Sequence, residues 1–216
     1  MSSAPKPKLT EKEYLAIERA ATTRSIFYRG EMYAMTGAKE AHVLITGNLL
    51  ANIWSQFEER PCKVYASDMR VKNARTGSFF YPDVAALCRE PQLEDSHGDT
   101  LTNPEVIIEV LSESTESFDR GGKFEDYQLL ESLTTYVLVA QDKPRVELYR
   151  KQADGSWNYV SLNQLSDVLN LDSIEVQISL SKIYDKVEFD SDSDSDSDSE
   201  GPADLNVIEE KATYQS

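Results

Sequence analysis

The spacing of apolar residues predicts two helices in the first 60 residues of the chain. Thr10 and Glu13 form a capping box, in which each side chain can bind the backbone amide of the other, and apolar residues at helical spacing continue to about Ala21. Residues 39–57 again repeat apolar positions at intervals of three and four, and Pro61 follows them. We therefore expect a short first helix and a longer second one.

Shorter runs of β-branched and aromatic residues predict strands. Residues 25–28 and 31–35 flank Gly30, which favours a hairpin. Residues 106–111 and 135–140 are almost continuously apolar, as expected for central strands buried on both faces. Further strands are predicted over 63–66, 69–72, 83–88, 146–150 and 157–162, a helix over 119–133 and a last short element over 180–184. This alternation predicts an α/β fold, a mixed β-sheet flanked by helices with additional antiparallel β-hairpins.

The ends of the chain differ in composition from the segment between them. Residues 1–8 are polar and contain proline, so we expect a flexible N-terminus before a single domain over 9–189. Asp and Ser alternate from Asp190 to Glu200, a pattern that cannot bury apolar surface and predicts a disordered acidic tail over 190–216. The tail is interpreted first as a solvating segment. Weak binding of divalent cations, autoinhibition of a nucleic-acid groove and contact with a partner stay open.

The charge balance argues against simple binding of nucleic acid. The formal net charge is −16, and the tail contributes half of it through nine acidic residues and one lysine. Proteins that bind nucleic acid usually carry a basic footprint, which this chain lacks in bulk. A local basic rim around an acidic metal site is compatible with the same numbers.

Cysteine usage and hydropathy predict where the protein works. Cys62 and Cys88 lie among apolar neighbours and have neither the spacing of a disulfide framework nor that of a metal site. We expect each to be a small buried core residue in a reducing compartment. No signal peptide and no apolar run of membrane-spanning length is present, so a cytoplasmic protein that does not enter the membrane is predicted.

Glu109 is the most unusual polar residue of the predicted core. It interrupts the apolar run 106–111, and a carboxylate inside a core strand is costly unless it is paired or bound to a metal. Strand alternation places it on the same face as Ile107 and Leu111. An ion pair with a nearby Lys or Arg is the alternative to a functional role, and buried carboxylates cluster at functional sites.

A second acid, Asp83, opens another predicted strand. Pro82 precedes it and apolar residues follow, although Pro-Asp is also a common turn pair. Asp83 and Glu109 lie on strand-like segments 26 positions apart, with a polar loop between them. Two carboxylates brought together would suit a hard cation such as Mg²⁺ or Mn²⁺.

Three motifs of the chain stand out: Tyr-Pro-Asp-Val at 81–84, Pro-Glu-Val-Ile-Ile-Glu-Val-Leu-Ser at 104–112, and Asp119-Arg120 followed by Lys123 and Tyr127. Together they resemble the Uma-two family of restriction endonucleases, which belongs to the PD-(D/E)XK nuclease superfamily. The resemblance spans residues 9–189 and implies a restriction-endonuclease-like mixed sheet, in agreement with the fold predicted above. It also implies a metal-dependent endonuclease that hydrolyses phosphodiester bonds with Mg²⁺ or Mn²⁺.

The resemblance assigns roles to individual residues. Asp83 matches the acid of the Pro-Asp motif and Glu109 the acid of the second motif, whereas Leu111 stands where the superfamily has its lysine. The family replaces that lysine by one on the next helix, here Lys123, whose alternative is an ordinary surface lysine. Glu31 matches a further acid that would complete the metal site with Asp83 and Glu109, or it is a surface charge of the hairpin.

Two further residues are candidates for contact with substrate. His42 lies on the second helix, where the family often has histidine, and would contact a phosphate or water, or would be an ordinary helix histidine. Arg120 would meet a phosphate or pair with Glu116. The expected partner is nucleic acid, with DNA favoured, and a homodimer is compatible with an enzyme that cuts both strands. The alternative is a catalytically silent nuclease-fold module that binds nucleic acid or a protein partner.

Overall fold

The computed structural model of the chain describes residues 8–189. The flexible N-terminus predicted over 1–8 lies outside the described residues except for its last residue, and the acidic tail predicted over 190–216 lies wholly outside them. The helices are α1 (Glu11–Ala20), α2 (Glu40–Gln56), α3 (Glu116–Arg120), α4 (Gly122–Tyr127) and α5 (Leu180–Ile183). No helix in the described part of the chain is both long and apolar enough to cross a membrane.

The strands form two main sheets and a small hairpin. The first five strands are β1 (Ser25–Tyr28), β2 (Glu31–Ala34), β3 (Lys63–Ala66), β4 (Arg70–Asn73) and β5 (Ser78–Phe80). They are followed by β6 (Val84–Leu87), β7 (Thr100–Leu101), β8 (Val106–Leu111) and β9 (Thr135–Ala140). The last are β10 (Val146–Lys151), β11 (Trp157–Leu162), β12 (Val168–Leu171) and β13 (Val176–Ser179).

A six-stranded sheet forms the centre of the domain, in the order β11-β10-β9-β8-β6-β3. Strands β8 and β9 are parallel, and their neighbours pair antiparallel, so the sheet is mixed as predicted. Both central strands are buried along their whole length, which explains their nearly continuous apolar sequences.

The two faces of the central sheet are covered differently. On one face, α2, α5 and the hairpin β12–β13 enclose a core that includes Ile45, Leu49, Ile108 and Val137. On the other face, Ile107 and Leu111 pack with residues of α4 and of a second, five-stranded sheet in the order β2-β1-β5-β4-β7. This second face is the one that strand alternation assigned to Glu109. The predicted class, a mixed sheet flanked by helices with additional hairpins, is confirmed.

The first helix begins where its capping box predicts. Thr10 accepts a hydrogen bond from the Glu13 amide, and the Glu13 carboxylate accepts one from the Thr10 amide. The helix covers the outer face of the five-stranded sheet, where Tyr14 stacks on Phe27 and contacts Phe79. By setting where the helix begins, the capping box also sets which of its sides carries Tyr14.

The helix predicted over 119–133 is wrong in its extent. The chain forms two short helices that meet at Gly121, whose backbone (φ −108°, ψ −104°) is not helical, and α4 ends at Tyr127. Strands β5, β7, β12 and β13 were not predicted, because runs of two to four residues carry little periodicity. The break at Gly121 matters for the site, since it sets α3 and α4 at different angles.

The prediction for the two cysteines is also wrong, because Cys62 and Cys88 form a disulfide. They are 26 positions apart in sequence but lie directly beyond the paired residues Lys63 and Leu87 of β3 and β6. Cysteine spacing cannot show this pairing, which depends on the register of two strands that are distant in sequence. The bond links an edge strand of the central sheet to the strand that Asp83 precedes.

We expect this disulfide to stabilise the fold measurably. Closing a loop of 26 residues lowers the entropy of the unfolded chain, so the double variant Cys62→Ala/Cys88→Ala should lose about 3 kcal/mol of unfolding free energy. Urea unfolding of wild type and variant, each with and without reductant, measures the effect. Reductant should destabilise the wild type alone, and equal stability of all four samples would contradict the prediction.

Candidate active site

Asp83 and Glu109 lie side by side at one end of the central sheet. Val84 pairs with Ile108 in the antiparallel register of β6 and β8, which sets Asp83, the preceding residue, opposite Glu109. The Asp83 Oδ2 atom accepts a hydrogen bond of 2.7 Å from the Val110 amide and continues the ladder through a side chain. The two residues therefore adjoin at this end of the sheet, close enough for the charge of Asp83 to act on Glu109.

Glu109 is buried, and its neighbours include one cation. The Lys123 Nζ atom lies 2.8 Å from Glu109 Oε1, and the Tyr127 hydroxyl donates a hydrogen bond of 3.2 Å to the same oxygen. Among the described residues, Glu109 Oε2 accepts no hydrogen bond. The carboxylate is therefore anchored through one oxygen and keeps the other available.

The break between α3 and α4 brings a third acid to this cluster. Asp119 and Lys123 are four residues apart on either side of Gly121, and Lys123 Nζ donates a hydrogen bond of 3.0 Å to Asp119 Oδ1. The Tyr136 hydroxyl holds the backbone of Asp119 through a hydrogen bond of 2.9 Å to its carbonyl oxygen. Lys123 is thus fixed between two carboxylates, with one of its three ammonium hydrogens left over.

The acids and the lysine shift one another's protonation. Burial raises the pKa of Glu109 to about 8, partly opposed by Lys123 and reinforced by the charges of Asp119 and Asp83. Burial disfavours the charge of Lys123, but Glu109 and Asp119 outweigh it and raise the pKa of the ammonium. Three carboxylates around one ammonium leave excess negative charge, which adds to the effect of burial on Glu109.

His42 approaches the same cluster from the first turn of α2. Its Nε2 atom lies 2.9 Å from Asp83 Oδ1. Because an ionised carboxylate only accepts hydrogen bonds, this nitrogen is the donor. The other ring nitrogen, Nδ1, is buried and has no hydrogen-bond partner among residues 8–189. In the neutral ring this second nitrogen is a hydrogen-bond acceptor.

Two predicted site residues do not join the cluster. Glu31 is exposed on β2, at the edge of the five-stranded sheet, where it accepts a hydrogen bond of 3.2 Å from Tyr33. Arg120 pairs with Glu116 at 2.7 Å, the alternative that the sequence left open, and also binds both oxygens of Glu147 on β10. Glu147 is buried and neutralised by Arg120 and Arg145, so Arg120 anchors α3 to the sheet.

The acid pair supplies two of the ligands that a divalent cation needs. Among residues 8–189, no three His, Cys, Asp or Glu side chains are grouped so that they could hold a metal ion by themselves. Asp83 and Glu109 nevertheless offer two adjacent hard-oxygen ligands, and Glu109 has a free oxygen. Mg²⁺ is commonly held by one or two carboxylates together with water and substrate phosphate, so the pair fits such an ion.

The supporting role of three residues was not predicted from the sequence. Asp119, Tyr127 and Tyr136 all support the pair formed by Glu109 and Lys123. Asp119 and Tyr127 stand in the motif that carried the family resemblance, which was the one available signal. The role of Tyr136 depends on the parallel pairing of β8 and β9, and spacing along the chain does not reveal it.

This fold, with two acids on adjacent strands and a lysine on the following helix, is that of a nuclease-like α/β protein. A crystal structure of a “putative nuclease belonging to DUF820” from Anabaena variabilis has a TM-score of 0.67, covering 82% of this chain and 97% of that one at 15% identity. Two uncharacterized proteins of Synechocystis sp. PCC 6803 are 34% and 36% identical: slr1290, with 87% of this chain and 97% of the relative covered, and sll1609, with 81% and 95% covered.

The model of the Uma2 family, described as “Putative restriction endonuclease”, matches residues 11–182. The chain therefore belongs to the Uma2 family, and the resemblance seen in its sequence is confirmed. The match covers both acids, the lysine and the helices that carry Lys123 and His42.

Proposed function

We propose that the protein is a metal-dependent endonuclease that hydrolyses phosphodiester bonds at the cluster formed by Asp83, Glu109 and Lys123. One observation carries the proposal: Asp83, which directly precedes β6, lies opposite Glu109 of the neighbouring strand β8, and a buried lysine contacts Glu109. A buried acid is costly unless it is paired or bound to a metal, and burial raises the pKa of Glu109 even though Lys123 pairs with it. Membership of the Uma2 family supports the same reaction class.

In this proposal, Asp83 and Glu109 hold Mg²⁺ or Mn²⁺, which when bound would supply Lewis-acid activation of water and neutralise charge at the phosphate. Asp83 keeps its orientation through His42 and the Val110 amide.

Lys123 faces the phosphate in this arrangement. Glu109 and Asp119 engage two of its hydrogens, and the remaining one donates to a phosphate oxygen, where negative charge increases in the transition state. Because Tyr136 and Arg120 hold α3 to the sheet, the ammonium is positioned before substrate arrives. Glu31 and Arg120 are not included among the reacting groups, because they lie at the sheet edge and in an ion-pair network.

The substrate class is proposed as nucleic acid, with DNA favoured. The alternative, a silent nuclease-fold module that binds nucleic acid or a protein partner, has one observation in its favour, the net charge of −16. Repulsion of this size weakens binding to a polyanion at low salt. Metal binding separates the two functions, since a silent module has no need of a cation at the acid pair.

The proposal is tested by a cleavage screen of the full chain on single-stranded DNA, duplex DNA and RNA, each with Mg²⁺, Mn²⁺ or EDTA. We expect cleavage with Mg²⁺ or Mn²⁺, none with EDTA, and a loss on the order of 10²-fold or more in Asp83→Asn. Asp142→Asn, the same change at an exposed carboxylate, is the matched control and should cleave like wild type. Failure of every substrate, together with no Mg²⁺ binding by calorimetry, would favour the silent module.

A further inference from the structure

The outer face of α2 is apolar although it faces solvent. Val43 and Trp54 are 58% and 63% exposed, and Gly47 and Ala51 between them are exposed as well. These four residues follow one another at intervals of about one helical turn, and they are called the outer stripe of α2 below. The opposite face of the helix is fully occupied, since Ile45, Leu49 and Ile53 are buried in the core.

A helix that lies on the surface of a monomer normally presents polar residues to water. Helix α2 has 17 residues, of which Glu40 alone is an acid and none is a lysine or arginine. The outer stripe itself contains no polar side chain, unlike the solvent-facing side of a typical amphipathic helix. An apolar patch on a folded surface commonly marks an interaction site.

We propose that the outer stripe binds the same stripe of a second copy of this chain, with the two helices antiparallel about a two-fold axis near Asn48 and Leu49. In that arrangement Gly47 lies opposite Ala51 of the second copy, and Val43 opposite Trp54 of the second copy. A Cβ added to Gly47 would meet no atom within 4 Å, so the backbones can approach closely at the axis. Small residues at the centre and large ones at both ends make the stripe complementary to itself.

The charges at the ends of the helix fit the same axis. Lys39 precedes α2, and Glu58 and Glu59 follow it; all three are exposed and form no ion pair with another described residue. An antiparallel pair sets Lys39 of each copy opposite the two glutamates of the other, which gives two attractive contacts. The helix dipoles are also opposed in this orientation, so each positive N-terminus lies near a negative C-terminus.

The proposed interface would place two candidate active sites in one assembly, a consequence that rests on the proposed function. His42 lies on the other side of the same helix and contacts Asp83. With a rise of 1.5 Å per residue, the two His42 positions would be about 20 Å apart along the helix axes. Two sites in one dimer suit an enzyme that cuts both strands of a duplex.

The test measures the mass of the full chain by sedimentation at several concentrations, which requires no activity. We expect a monomer–dimer equilibrium whose dissociation constant rises at least tenfold in Trp54→Lys. Gly47→Gln should weaken the dimer similarly, whereas at a dilution at which both proteins are monomeric its thermal midpoint should stay at or above that of wild type, because glycine is a poor helix former. Leu165→Lys removes an apolar side chain that is 47% exposed elsewhere and should leave the equilibrium unchanged.

The contact between Lys39 of one copy and the two glutamates of the other is tested by reversing the charges. Lys39→Glu should weaken the dimer, and the combination Lys39→Glu/Glu58→Lys/Glu59→Lys should restore it.

A wild type that remains monomeric at high concentration would overturn the proposal, and so would a dimer that Trp54→Lys and Gly47→Gln leave intact. Shielding of Trp54 from a soluble quencher in a monomeric full chain would assign the stripe to another segment of the same chain and would also overturn it. None of these readings depends on whether the protein cleaves nucleic acid.

Discussion

Replacing Glu109 by glutamine should abolish metal-dependent cleavage and leave the fold intact. The amide oxygen of glutamine can still accept hydrogen bonds from Lys123 and Tyr127, which engage a single oxygen of Glu109 in the wild type. The negative charge that would hold a divalent cation with Asp83 is lost. We expect a decrease in cleavage rate on the order of 10²-fold to 10³-fold, measured with excess enzyme at saturating Mg²⁺.

The same variant should be more stable than wild type at alkaline pH. Burial raises the pKa of Glu109 to about 8 in the folded protein, whereas an unfolded glutamate titrates near its ordinary value of 4.5. Between these values the folded state retains a proton that the unfolded state has released, so wild-type stability falls as pH rises. Glutamine has no proton to lose, and the stability difference should therefore grow from about pH 4.5 to about pH 8 and then level off.

Urea unfolding in EDTA, repeated at several pH values, measures this difference without a bound metal. Glu125→Gln is the matched control, because Glu125 is exposed on the same helix as Lys123 and should follow the wild-type curve with full cleavage. Parallel stability curves for wild type and Glu109→Gln would show that burial does not hold a proton on Glu109. Undiminished cleavage would remove Glu109 from the catalytic site.

The local signals in the sequence were sufficient for the elements that carry the acids. The apolar run 106–111 predicted β8 with its observed bounds, and alternation predicted correctly that Glu109 shares a face with Ile107 and Leu111. The capping box at Thr10 likewise marked the start of α1. Such signals suffice where the decisive contacts lie within one element.

The contacts that join distant segments were not accessible in this way. Cys62 and Cys88 meet because β3 and β6 pair in one particular register, and two cysteines 26 positions apart do not define that register. Arg120 was an open choice between phosphate and Glu116, and the buried acid Glu147, which decides it, comes from β10. Apolar spacing in α2 predicted a core-facing helix but could not show that Val43 and Trp54 would face outward.

Replacing Lys123 by methionine should have the largest combined effect, on stability as well as on activity. Methionine fills nearly the same volume but leaves Glu109 and Asp119 without their common cation, and both carboxylates are buried. Removing one partner of a buried ion pair costs about 3–5 kcal/mol, because the remaining charge must be protonated or desolvated. Cleavage should fall to background, since no ammonium is left to meet the phosphate.

A neutral replacement of the whole cluster separates the two effects. The triple variant Lys123→Met/Glu109→Gln/Asp119→Asn has no uncompensated charge, and it should recover most of the lost unfolding free energy while staying inactive. Lys182→Met, which removes an exposed lysine from α5, should match wild type in both measurements. An unfolding free energy of Lys123→Met within about 1 kcal/mol of the wild-type value would be well below the expected loss. It would mean that the buried ammonium does not hold the two acids together. Any loss of activity would then come from the missing contact between Lys123 and the substrate alone. Lys123 would in that case serve catalysis without stabilising the fold.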